Sequence, residues 1–375
     1  MARSDTVAGT ATKPLAHWHN ILDTTPNMDT PLSAPKERIN PDDPRDLARK
    51  LARFRTPRLS RSGWELASTL VPFVALFTVM LFAVEAGYWI ALLLAPIAGL
   101  LLLRLFIIQH DCGHEAFWKN RHTNNWVGRA IGVLTLTPYD CWRRSHALHH
   151  ASTGNLDARG FGDVDTLTVR EYMERGKMGR LFYRLYRHPV TLLGLGPAYL
   201  FLLRHRLPIG LMREGTRYWV SALATNLVTA IILGLLAYIF GIGVTLAVFL
   251  PVLLISASTG VWLFYVQHQF EQTHWDARED WEFHEHALKG STHLHMPAVL
   301  RWFTGNIGVH HVHHLMSRIP FYRLPAVLKA YPELGEINRI TPRQTPRMFI
   351  LTLWDEKKRE LVSFREAKRS YTPSQ

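Results

Sequence analysis

The sequence predicts an all-α, multi-pass membrane protein with four transmembrane helices in two hairpins and a helical cap on one side of the membrane. Three observations predict it. Four apolar runs, about 64–84, 88–108, 219–240 and 244–266, each have about the twenty residues needed to cross a hydrocarbon core. The connections within each pair, Glu85-Ala86-Gly87 and Gly241-Ile242-Gly243, are tight and carry no Lys or Arg. Three histidine-rich motifs lie outside the runs, all on the side to which the basic residues assign the cytoplasm.

The N-terminal stretch, residues 1–60, is basic and proline-rich and lacks the apolar core of a signal peptide. Its first part reads as disordered, with His17 and His19 solvated, and Pro44 to Arg61 reads as a basic, helical approach to the membrane. In the second run Arg104 is the exception, placed where its stem would snorkel toward the headgroups. Ile131 to Pro138 and Val190 to Leu203 are too short or too broken by Gly and Pro to span, and suit interfacial or re-entrant segments. Beyond Gln267 the chain is polar and basic, and Trp354 to Lys368 reads as a charged helix.

A net charge of +13 would ordinarily suggest nucleic acid or an anionic surface. Its distribution argues otherwise. Eleven Lys or Arg precede the first run, 16 lie between the pairs, 15 follow the fourth run, and Arg104 is the remaining one. Basic residues thus collect on one side of a four-span protein, which explains the charge without nucleic acid. The two cysteines, Cys112 and Cys141, lack CxxC spacing and read as small buried residues.

The twenty histidines carry the chemistry. His110 and His114, in HDCGH, follow the second run and share a helical face. His146, His149 and His150, in HALHH, stand at i, i+3 and i+4, and His310, His313 and His314, in GNIGVHHVHHLM, repeat that spacing after the fourth run. Eight imidazoles exceed what one ion can hold, so a dinuclear centre is the natural count. A structural zinc site would normally include cysteine, and a haem or an ion pathway would need ionisable groups deep in the spans. His311 lies off the arc of its neighbours and reads as packing or support.

HDCGH, HALHH and HHVHH, in this order and with membrane hairpins before and between them, resemble the three histidine boxes of the integral-membrane fatty acid desaturases. The resemblance runs from about Arg61 to Arg365, leaving 366–375 as a tail, and is nearest to bacterial acyl-lipid or Δ12 (omega-6) types. It implies a di-iron centre that uses O2 to remove hydrogens from an unactivated acyl chain and leaves a cis double bond. It also implies a ninth ligand after the last span, which falls on His268 in FYVQHQFE. Related animal enzymes carry an asparagine four residues earlier; Phe264 stands there, so that contact is expected to be absent. Asn306 is expected to offer His310 a hydrogen bond instead.

Other polar residues receive plainer readings. Asp111 and Glu115 are expected to orient imidazole N–H groups, and Asp157, Asp163 and Asp165 to fix a loop beside the second box. His293 and His295 read as an exposed loop, with an approach to the substrate or donor as the alternative, and His122, His188, His205, His274, His284 and His286 as ordinary surface or packing histidines.

No dinucleotide fingerprint, CxxC motif or fused haem module is visible, so electrons are expected from an external donor of ferredoxin, rubredoxin or cytochrome type. A membrane hydroxylase or ketolase acting on lipid, alkane or carotenoid is the enzyme alternative, since both outcomes diverge after the first hydrogen removal. A histidine-rich membrane metal carrier is the non-enzyme alternative.

Overall fold

The computed structural model describes residues 38–160 and 164–371. The disordered reading of the first residues, with His17 and His19, and the reading of Asp163 lie outside the described residues.

A short helix, Pro44–Ala52, lies within the stretch read as a basic, helical approach; it has Asp43 as its N-cap and buries Leu47 and Leu51. Three helices among the described residues are long and apolar enough to cross a membrane: Leu59–Glu85, Trp89–Gly113 and Thr216–His268. The first two are joined at Gly87, whose φ of 89° suits glycine.

The third is one 53-residue hydrogen-bonded run, but at Gly241 the backbone leaves helical geometry, with φ 77° and ψ 151°. A straight helix of that length would reach about 80 Å. Its two ends nevertheless both meet the helix Tyr139–Ser152, Arg217 pairing with Asp140 and His268 packing on His149. That helix is only about 21 Å long, so the chain folds back at Gly241. Phe240 at this bend packs edge-on against Phe82 at the end of the first helix, ring centroids 5.0 Å apart. Between the second helix and the returning limb the backbones approach closely. A side chain at Gly99 would meet Ile255 Cγ2 at 2.8 Å. Outward faces stay apolar and exposed, including Val71, Val79, Leu227, Ile231 and Tyr238.

Arg104 does not snorkel. It is buried, pairs with Glu65, donates to Thr69 Oγ1 at 3.0 Å and lies over the Trp302 ring at 4.2 Å. A carboxylate one helix away offers the guanidinium a shorter route to neutralisation than the headgroups do.

The all-α expectation needs one correction, because among the described residues five short strands make two small sheets. Leu167–Thr168 runs parallel to Leu353–Asp355, which pairs antiparallel with Glu360–Val362. His293–Leu294 runs parallel to Arg339–Ile340. The predicted helix over Trp354 to Lys368 is therefore mostly a hairpin, and helix forms only at Phe364–Ser370 behind a Ser363–Glu366 capping box. Asp355 Oδ1 accepts from the Lys357 and Lys358 amides and turns the chain, while Trp354, Leu361 and Val362 go inside.

Candidate metal centre

Each histidine motif sits at the end of a helix or on a short one. His110 lies in the last turn of the second apolar helix and His114 caps it; His268 ends the third. His146, His149 and His150 lie on Tyr139–Ser152, and His310, His313 and His314 on the six-residue helix His310–Leu315. The last is fastened from outside, since Thr292 O accepts from the His310 and His311 amides and Gln267 donates to Ile307 O. Asp111 ties the first motif to the third: Oδ2 accepts from the Phe321 amide at 2.7 Å and Oδ1 lies 3.4 Å from His110 Nδ1.

These four segments bring all nine singled-out histidines together, in two groups. One holds His110, His114, His146, His150 and His313; the other holds His149, His268, His310 and His314. Within each group one nitrogen per residue lies within 4.8 Å of the others. His150 Nε2 is 3.1 Å from both His146 Nε2 and His313 Nε2. His310 Nε2 is 3.0 Å from His268 Nε2 and 3.1 Å from His314 Nε2.

Protons alone cannot satisfy this packing. An imidazole nitrogen has either one N–H or one lone pair, so a central Nε2 cannot bond well to two others. A cation can. Nitrogens about 2.1 Å from one ion stand about 3.0–3.4 Å apart at right-angle to tetrahedral ligand angles. His114 Nε2 is buried without a hydrogen-bond partner among the described residues, as a ligand atom awaiting its ion would be. Burial, then the neighbouring imidazoles, hold His114, His146, His150, His310, His313 and His314 well below the ordinary histidine range, so they are neutral and able to ligate near pH 7.

Packing side chains fix the rings. Trp142 stacks on His146 with centroids 4.7 Å apart, and Gly113 leaves room for it, since a Cβ there would meet the indole at 2.7 Å. Phe264 lies against both His149 and His268, at 5.0 and 5.1 Å, so an apolar ring fills the position where an asparagine was considered.

Residues 86–344 match the family model described as Fatty acid desaturase. The chain belongs to the fatty acid desaturase family. Its members are oxidoreductases, and the curated relatives agree. The sequence is 40% identical over 324 residues to a fatty acid desaturase of Bacillus subtilis (strain 168), covering 86% of this chain and 92% of that one. It is 30% identical over 267 residues to an sn-1 acyl-lipid omega-3 desaturase (ferredoxin) of Synechocystis sp., covering 69% and 72%. It is 27% identical over 226 residues to an sn-1 oleoyl-lipid 12-desaturase of the same organism, covering 60% and 64%.

Around the histidines of this desaturase, some supporting roles differ from the sequence reading. His311 is buried outside both groups, its Nε2 2.7 Å from Leu334 O, as a packing residue should be. Glu115 orients no imidazole; Arg121, Arg143 and Arg318 surround it at 2.6–3.0 Å and claim both oxygens. Asn306 makes no side-chain hydrogen bond to His310 among the described residues, because its φ of 54° makes it a turn residue. His293 is buried rather than exposed, with Nδ1 2.5 Å from Gly335 O; it and His295 line a cavity of about 270 Å³. Asp157 fixes its loop as read, accepting from the Arg278 amide. His274 and His286, read as surface or packing histidines, converge with Asp276.

Proposed function

We propose that this protein is an O2-dependent, di-iron acyl desaturase that introduces a cis double bond into a long acyl chain of a membrane lipid, as the names of the acyl-lipid relatives suggest. The carrying observation is the division of nine histidines into two adjacent groups with converging Nε2 atoms. His110, His114, His146, His150 and His313 would hold one iron, and His149, His268, His310 and His314 the other. Such a pair would supply the oxygen-dependent removal of two hydrogens.

The chain's own residues do the rest. Asp111 holds the His110 ring, Trp142 and Phe264 fix three further rings, and the largely buried setting excludes water from them. Four spans, formed by the first two apolar helices and the two limbs around Gly241, would let the acyl tail enter from the bilayer. In this reading residues 61–365 are the catalytic unit, and the centre and both termini lie on the cytoplasmic side. A ferredoxin-type donor on the basic face would supply electrons.

Expression in a host without desaturases, followed by fatty-acid profiling, tests the reaction. A new cis-unsaturated acyl chain is expected; a hydroxylated product with no new double bond would refute desaturation. Iron of about two per purified chain is expected alongside it.

A further inference from the structure

A third histidine group lies apart from the two above. We propose that His274, Asp276 and His286 form a site for one divalent transition-metal ion, with Arg359 as its competitor. Their candidate ligand atoms all lie within 4.8 Å of one another. Asp276 Oδ2 is 3.1 Å from His274 Nε2 and 3.3 Å from His286 Nε2, the spacing of neighbouring ligands on one ion.

The protonation pattern points the same way. His286 Nδ1 lies 2.8 Å from Glu282 O, so it carries the N–H and leaves the lone pair on Nε2. That Nε2 belongs to a fully buried residue, faces Asp276, and has no hydrogen-bond partner among the described residues. Two acceptors therefore confront each other in the interior, which is costly unless a cation stands between them. A ring nitrogen freed as a ligand because the other N–H donates to a backbone carbonyl is the usual arrangement at metal sites. Two imidazoles and one carboxylate suit Zn²⁺, Fe²⁺ or Mn²⁺.

Arg359 supplies positive charge at one edge only. Its Nη2 is 2.7 Å from both Asp276 Oδ1 and His274 Nε2, and it leaves His286 unserved. Arg359 is half exposed on the turn before Glu360–Val362, so it has room to swing out when an ion takes His274. Position gives the ion a structural task. Asp276 exchanges backbone hydrogen bonds with Gly154 and Leu156, in the loop that directly follows the HALHH helix. An ion there would brace the second histidine motif from behind.

The test counts total metal per chain. Full-length protein in detergent, reconstituted with iron, is equilibrated with Zn²⁺ and washed, and iron plus zinc is measured by mass spectrometry. Wild type should hold one more ion than His274→Ala and one more than His286→Ala. Arg359→Gln should tighten the extra ion about tenfold or more, because a positive charge that the ion meets at contact distance is gone. The count is a difference between variants, so it stands whichever ions fill the two larger groups. If His286→Ala fails to fold, judged by loss of iron, the partly exposed His274→Ala decides. An equal total in wild type and His274→Ala, or no extra ion in both wild type and Arg359→Gln, would overturn the site.

Discussion

His150 and His314 stack face to face, ring centroids 4.1 Å apart and planes within 19°, yet they belong to different histidine groups. The two candidate ion sites therefore share a wall made of one ring from each. Replacing either residue by alanine removes a ligand from one group and the packing partner of a ligand in the other. Both His150→Ala and His314→Ala are expected to lower iron at both positions. Their activity should fall by more than the roughly 10–100-fold that loss of an outer-shell partner costs. His114→Ala, whose ring packs only on members of its own group, should lower iron at one position. Iron analysis with activity on the same preparations checks the contrast.

Asp111 and Glu115 flank the same motif but should behave differently. Asp111→Asn should weaken iron binding about 10–100-fold, because it lies against His110 Nδ1 while anchoring Phe321. Glu115→Gln should leave iron content unchanged and cost about 1 kcal/mol of stability, because its partners are arginines. Competition with a chelator and thermal unfolding separate the two.

Acid should release the metal by destabilising the fold. Burial and neighbouring imidazoles keep six ligand histidines neutral in the folded protein, with their pKa values well below 6.5. A depressed histidine contributes stability that is fully present above the unfolded value of about 6.5 and is lost as pH falls below it toward the folded value. Dialysis from pH 8 to pH 5 should show iron retention constant above neutrality and falling with a steep, multi-proton dependence below about pH 6.5. A flat profile across that interval would contradict metal release through proton-linked loss of the fold.

The buried pair of Arg104 and Glu65 should be far costlier to break than to remove. Glu65→Leu alone should destabilise by about 3–5 kcal/mol, since Arg104 becomes a buried charge without its partner, and Arg104→Met should cost less, since Glu65 keeps its ion pair with Arg61. The double variant should recover most of that loss. Thermal unfolding in detergent, run as a double-mutant cycle, measures the coupling.

Gly113→Ala should perturb the site without touching a ligand. Its methyl would meet Trp142 at 2.7 Å and push the indole off His146. Activity should drop while iron binds more weakly; Gly63→Ala, with nothing near the added carbon, is the neutral comparison.

Eight of the nine clustered histidines were legible because i, i+3 and i+4 spacing puts them on helical faces, in motifs that lie outside the apolar runs. His268 came from family resemblance, and its Nε2 lies 3.0 Å from His310 Nε2. What stayed hidden depends on partners far along the chain. Glu65 and Arg104 are 39 residues apart, and nothing in either run announces their pairing. His274 and His286 meet through an irregular loop, where no period relates their side chains. The strands are two or three residues long, too short for alternation to emerge.

The backbone order of the ligands carries a consequence for biogenesis. His313 completes one group, and His310 and His314 complete the other, so both sets close with a segment near the end of the chain. The first group is whole only once residue 313 has been made and the second only after residue 314, by which time the three long apolar helices of the described residues have been made. On the proposed reading, metal loading would be a late event, and a chain truncated before His310 would lack one histidine of the first group and two of the second.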